Sequence, residues 1–233
     1  MTIQLYDLTD ATREIFFSPY CWRTRMALAH KGLAFESIPW HFTDTEVIEA
    51  NSAGRVPVIV DGGRWVHDSF DIAQYLDQQY PDRPMLMKDD AAVAAAQFTD
   101  AWCNFQVFAA LRPISVFSVF KIIHDKDKTY FRESREKMLK EKLEEISKDP
   151  EAEKKALGVA LRPADVLLGK QQFFGGNTPS YADYVVFGTL MWPYQVCPAS
   201  PLEAGTNVAA WFDRLLDLND GFARKAKRVM AVG

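Results

Sequence analysis

The chain is predicted to be an α/β module followed by an all-helical domain. Three observations predict this class. Strand and helix signals alternate over roughly the first eighty residues, Pro81-Asp82-Arg83-Pro84 breaks the pattern, and helical periodicity runs on from Ala91 without a hairpin signal. The expected organisation is a first domain over 1–80, a linker over 81–90 and a helical domain over 91–233.

In the first part, Ile3 to Leu8 alternates and reads as a strand. Ser18-Pro19 opens a helix over Trp22 to His30, because a serine caps free N–H groups and a proline at the first position forfeits no needed bond. Gly32 suits its C-terminal stop. Leu33 to Ile38 reads as a second strand and Asp44 to Asn51 as a short helix. Val56 to Val60 and Arg64 to Val66, joined by Asp61-Gly62-Gly63, form an antiparallel hairpin. Asp68, with Asp71 three positions on, caps a helix whose apolar face carries Ile72, Tyr75, Leu76 and Tyr80. A central mixed sheet covered by helices is the compact solution.

The second part contains helical stretches over Ala91 to Phe120, Thr129 to Ser147, Glu151 to Gly169, Ser180 to Trp192 and Val208 to about Asp217. Pro113 is expected to kink or divide the first of these. The mixed charges of Lys121 to Lys155 read as solvated helix faces.

Composition bounds the function. Hydrophobic residues make up 48% of 233, enough for packed cores. A net charge of -4 gives no field for phosphate backbones, so nucleic acid is not an expected partner. The N-terminus shows no basic stretch followed by an apolar one, and Tyr184 to Trp192, read as the longest apolar segment, is too short to span a bilayer. Cys21, Cys103 and Cys197 are widely spaced, which fits reduced thiols in a cytoplasmic protein, and no metal-ligand spacing joins them to the four histidines.

Three places can carry chemistry. Ser18 at a helix start is either a simple cap or a hydroxyl donor. Pro57 lies inside a strand-like run, so it marks an edge or bulge, or a cis Val56-Pro57 bond that turns the Val56 backbone toward a peptide-like ligand. Asp68-Ser69 opens a helix and serves as a cap or holds the charged end of a ligand.

Taken in order, Ser18-Pro19-Tyr20-Cys21-Trp22-Arg23-Thr24-Arg25, Arg55-Val56-Pro57-Val58-Ile59, Asp68-Ser69 with Ile72 to Leu76, and Gly175 to Asp183 resemble the glutathione transferases over essentially the whole chain. Trp22-Arg23-Thr24 and Tyr80 to Leu86 are most similar to the fungal FuA-class and bacterial β-etherase-like members. The resemblance implies a thioredoxin-like first domain, glutathione as co-substrate and a homodimer. It implies that Ser18 donates to the glutathione sulfur and that Val56, before a cis Pro57, pairs with the cysteinyl backbone. Asp68 and Ser69 would take the γ-glutamyl end, with His41 and Arg55 near the ligand. Ser180 and Asp183 match a structural capping box, and their spacing independently reads as one.

A thiol near pKa 8.5 is mostly protonated at neutrality, and its thiolate is the nucleophile. A donor at Ser18 and the adjacent helix start would favour the ionised form. The expected second substrate is a hydrophobic, aromatic electrophile, in keeping with a detoxification role. Trp102, Phe105, Phe108, Phe117 and Phe120 either line a cleft or pack the core, and Asn104, Arg112, Tyr184 and Tyr194 are candidates to orient a polar substituent. Cys21 occupies the resolving position of a C-x-x-C motif whose first cysteine is Ser18. It is packing if it points inward and a thiol for mixed-disulfide exchange if it faces the site. Alternative readings are a non-catalytic ligand-binding or protein-interaction scaffold, a thiol oxidoreductase, a β-aryl etherase, or a transferase with peroxidase side activity.

Overall fold

The computed structural model describes residues 2–52 and 54–230; the last three positions of the helical part lie outside them. Four strands, β1 (Ile3–Leu8), β2 (Phe35–Trp40), β3 (Val58–Asp61) and β4 (Arg64–His67), form one sheet in the order β2-β1-β3-β4. β1 pairs parallel with β2 and antiparallel with β3, and β3 with β4 is the expected hairpin. Gly62 and Gly63 turn it at φ of 57° and 90°, a region open to glycine without a Cβ clash. β2 lies two residues later than its apolar run indicated and includes Pro39. As an edge strand it tolerates a residue that cannot donate to a ladder.

Helices α1 (Pro19–His30) and α3 (Ser69–Gln79) cover this sheet; α2 (Glu49–Ser52) is shorter than the stretch predicted. The mixed four-stranded sheet with its helices is the thioredoxin-like module, and a helical domain follows it. Its members are α4 (Asp90–Trp102), α5 (Phe108–Ile122), α6 (Asp125–Leu139), α7 (Pro150–Leu168), α8 (Tyr181–Val196) and α9 (Asn207–Leu216). The division between α4 and α5 is a π-turn at Cys103–Val107, whereas Pro113 is carried inside α5. The long rod Asp90–Ile122 corrects the expectation that Tyr184 to Trp192 was the longest apolar stretch: by length and composition it could cross a membrane. In this fold one side of it packs into the protein core, through Ala96, Cys103, Val107 and Leu111.

α8 is the buried spine. Tyr181 to Met191 are all buried along it, and it packs against α1, so one continuous apolar core runs from Trp22 and Met26 to Phe187 and Trp211. The predicted capping box is present: Asp183 Oδ2 accepts from the N–H and the hydroxyl of Ser180 at 2.8 and 3.1 Å. It also accepts from Gly175 N–H at 3.2 Å, while Oδ1 takes Phe174 N–H at 2.7 Å and Trp211 Nε1 at 2.9 Å. Burial pushes the Asp183 carboxyl up, and these donors oppose that shift.

Candidate active site

Ser18 caps α1. Its backbone is extended (φ -67°, ψ 124°), and its Oγ accepts the Cys21 N–H at 3.3 Å. That bond uses an acceptor lone pair and leaves the hydroxyl proton for another partner. Ser18 opens onto a cleft of about 820 Å³ between the two domains, within the range of small-molecule sites. Arg55 and Val56 form the adjoining wall, and the Val56-Pro57 bond is cis. The opposite wall comes from α5, α6 and α8, with Phe108, Arg112, Phe131, Arg135 and Trp192.

The other predicted site residues are placed differently. Asp68 is exposed at the start of α3, where Oδ1 accepts from Phe70 N–H at 2.7 Å and Asp71 N–H at 3.3 Å. Asp71 returns no bond to it, so the capping arrangement is one-sided. Asp68 has φ 66° and ψ 132°, a sparsely populated geometry for a residue with a Cβ, of the kind that concentrates at functional sites. Ser69 is buried behind it. Both lie outside the cleft on the side of Tyr20, whose phenol is raised by burial, with the charges of Asp100 and Asp68 adding to the shift and Arg23 opposing it.

His41 does not reach the cleft. It is 2% exposed, its Nε2 meets the Asp10 carbonyl at 3.2 Å, and its ring lies tilted against His124 with centroids 5.2 Å apart. Its neighbours Trp40 and Phe42 form the cleft wall instead. Along a strand end alternate residues face opposite sides, which is why the neighbours and not His41 face the cleft.

Cys21 points inward. It is 0% exposed, and burial together with the nearby Asp7 carboxylate pushes its thiol well above the ordinary range. A thiol held protonated inside the sheet–helix core is packing, the first of the two readings. Cys103, likewise buried, is pushed up to about 12.

Of the aromatic candidates, Phe108 lines the cleft. Phe117 and Phe120 stack on each other beside the smaller apolar cluster, and Phe105 is 82% exposed on the far side of its helix. Tyr184 is buried, bonded to His30 Nδ1 at 2.7 Å, and Tyr194 packs on Phe212. Arg112 lines the cleft; Asn104 reaches it indirectly, accepting the Tyr20 hydroxyl at 2.9 Å and donating to Asp100 at 3.0 Å. Asp100 in turn pairs at 2.5 Å with Arg23, which is 2% exposed and lies 4.6 Å from the Tyr20 ring. This chain locks the first turn of α1 to α4 and the π-turn. Phe17, Tyr20, Trp40, Phe42, Tyr130, Arg135 and Trp192 are cleft residues that sequence reasoning missed. Several were legible only as core candidates, because a stripe of aromatics on a helix has the same spacing in either role.

Among the described residues no group of three His, Cys, Asp or Glu side chains is arranged to hold a metal ion. The residues present fit a thiol peptide: a hydroxyl donor at a helix start, an adjoining backbone at Val56, and guanidinium groups for carboxylates.

These pieces make a thioredoxin-like module joined to a helical bundle, with a capping serine at their shared cleft. Family models for the glutathione S-transferase N-terminal domain, over residues 17–79, and C-terminal domain, over residues 94–217, both match. The chain belongs to the glutathione S-transferase family, which uses glutathione as co-substrate. It is similar to the glutathione transferase GSTFuA3 of Phanerochaete chrysosporium (27% identity, 97% of this chain and 96% of that one, TM-score 0.77). It is also similar to a Ceriporiopsis subvermispora glutathione S-transferase solved with glutathione (25%, 97% and 94%, 0.77). Glutathione S-transferase Z1 of Arabidopsis thaliana is 43% identical over 72 residues, 29% of this chain and only 33% of the plant protein. The chain thus spans about a third of that relative's length.

Proposed function

We propose that the protein is a cytoplasmic glutathione transferase, with residues 1–80 holding glutathione and 91–233 supplying most of the second-substrate wall. In this reading Ser18 donates its hydroxyl proton to the glutathione sulfur, Val56 pairs with the cysteinyl backbone, and Asp68 and Ser69 receive the γ-glutamyl end. The observation that carries it is the Ser18 hydroxyl, whose oxygen is already engaged by the Cys21 N–H at the edge of the cleft. Lowering a thiol pKa by about 2 units needs roughly 2.7 kcal/mol of preferential thiolate stabilisation. One hydrogen bond to a charged group supplies about 1.5–3 kcal/mol.

The test is Ser18→Ala, read by the pKa of the bound thiol from thiolate absorbance and by the conjugation rate. The thiol pKa rises, and the rate at neutral pH falls roughly 10- to 100-fold, as expected for loss of one such bond. An unchanged thiol pKa and rate would remove the role. Glutathione binding without turnover of any electrophile would favour the scaffold reading, and the burial of Cys21 weighs against a thiol oxidoreductase.

The same reading includes a homodimer. Phe98 and Phe105, 76% and 82% exposed, stand with exposed Ala91, Ala94, Ala95 and Ala101 along one side of α4 and the π-turn. Contiguous apolar surface of this kind marks an interaction face, and small residues let a second copy of the rod approach closely. Sedimentation should give a dimer for the native chain and a monomer for Phe98→Glu/Phe105→Glu; a monomeric native chain would rule the pairing out.

A further inference from the structure

The cleft wall contains three arginines, Arg55, Arg112 and Arg135, and no aspartate or glutamate. That bias is set in a chain with 31 acidic against 27 basic side chains. Among the described residues no carboxylate pairs with any of the three. Arg132, three positions before Arg135 on α6, shows the contrast: it is neutralised by Glu136 at 2.7 Å and Glu144 at 2.6 Å. Arg135 instead lies 4.8 Å from the Phe131 ring and 5.5 Å from that of Phe42, bonded to Ser134 Oγ at 2.9 Å. Burial pulls its pKa down, with the Tyr130 phenol opposing that shift.

Arg55 adjoins Val56 on the wall assigned to glutathione. Arg112 and Arg135 face it from the helical domain, beside the aromatic surface. We infer that the second substrate is an aromatic electrophile carrying an anionic group, a carboxylate or its equivalent, which Arg112 and Arg135 hold while the ring lies against Phe42 and Phe131. A planar guanidinium fork recognises a carboxylate with two parallel bonds, and a half-buried one gains most from it. This inference rests on the transferase reading for its chemistry and on the cleft alone for its binding. With a chloro-dinitro-aromatic probe the glutathione thiol loses its proton to buffer. The sulfur electron pair then forms a C–S bond, the C–Cl bond breaks and chloride leaves, while the carboxylate is unchanged.

The test uses the whole chain saturated with S-methylglutathione, so that glutathione's own carboxylates are already in place. Tryptophan quenching, with Trp40 and Trp192 in the wall, compares 3,5-dinitrobenzoate with 1,3-dinitrobenzene. The carboxylate is expected to bind at least tenfold more tightly, Arg112→Gln/Arg135→Gln to erase that preference, and Arg112→Lys/Arg135→Lys, which keeps the charge, to retain part of it. Equal affinities in the native chain, or a preference that survives the Gln pair, overturn the inference. So does a Gln pair that loses S-methylglutathione in place of the dinitrobenzoate. Turnover separates the two readings. Conjugation of 1-chloro-2,4-dinitrobenzene and 4-chloro-3,5-dinitrobenzoate with equal KM keeps the transferase and removes the anion site. Selective carboxylate binding with neither ring conjugated does the reverse.

Discussion

Gly188 of α8 lies directly against Pro19 of α1. A Cβ built on it would stand 2.5 Å from the Pro19 carbonyl oxygen and 2.9 Å from the Arg23 backbone nitrogen. Both atoms are backbone in the first two turns of the helix that Ser18 caps, so they cannot move aside as a side chain would. The catalytic candidate is thus set by a helix from the other domain, through an approach only glycine permits.

Gly188→Ala is therefore expected to shift the first turn of α1 and cost about 1–3 kcal/mol, the usual range for overpacking. Conjugation should fall with it, because Ser18 moves relative to Val56. Thermal melting alongside a glutathione titration checks this. An alanine variant with native melting temperature and affinity would show that the two helices separate without consequence.

Asp127 of α6 accepts the Phe42 and Thr43 N–H groups at 3.2 and 3.1 Å and the Thr43 hydroxyl at 2.7 Å, and is 1% exposed. It pins the loop that carries Phe42 into the cleft. Asp127→Ala leaves these donors without their acceptor and should cost about 1–3 kcal/mol. In kinetics it should raise KM for the second substrate more than it lowers kcat, since Phe42 lines the cleft. A fall confined to kcat would argue against that placement.

Acid stability should report on Asp10. Burial pushes its carboxyl up, but the Ile15 N–H, the Thr12 hydroxyl and the Glu14 N–H outweigh that and hold it below the ordinary 3.8. A carboxyl lowered in the folded state contributes stability that is fully present above its unfolded value of about 3.9, and that contribution is lost as pH falls through the folded value. Asp10→Asn should therefore be about 1–2 kcal/mol less stable at pH 7, with the gap closing as pH drops below about 4. Urea unfolding across pH 3 to 7 measures it; a gap that is constant or widens toward acid would contradict the assignment.

The native protein should resist aromatic disulfide reagents at neutral pH. Cys21, Cys103 and Cys197 are all buried, and the thiols are pushed up by that burial. Full labelling is expected only after denaturation, and Cys21→Ala should retain glutathione conjugation. Rapid labelling of Cys21 in the folded chain would reopen the exchange reading.

Much of the fold was legible because local signals agreed with one another. Ser18-Pro19, the Asp61 to Arg64 turn and the Ser180-x-x-Asp183 box each encode their geometry in adjacent residues, and each stands as read. The misreadings occur where a distant partner decides. Pro113 signals a break to any local rule, yet the interruption of the α-helical pattern falls at the π-turn, where Asn104 reaches Tyr20 and Asp100. His41 shares a tripeptide with Trp40 and Phe42, and only the strand's position at the sheet edge sorts which of them face the cleft.

By itself the sequence determined the two-part architecture, the capped starts at Ser18, Asp68 and Ser180 and the order of the candidate glutathione-side residues, since periodicity, capping and turn chemistry act over a few residues. The tertiary structure alone decided that Cys21 faces the core, that His41 is buried and does not line the cleft, and that Arg112 and Arg135 both line the wall opposite Ser18. The physical reason is that exposure and opposing charge are properties of what packs against a side chain. For Ser18 that neighbour is α8, more than 160 residues further along the chain.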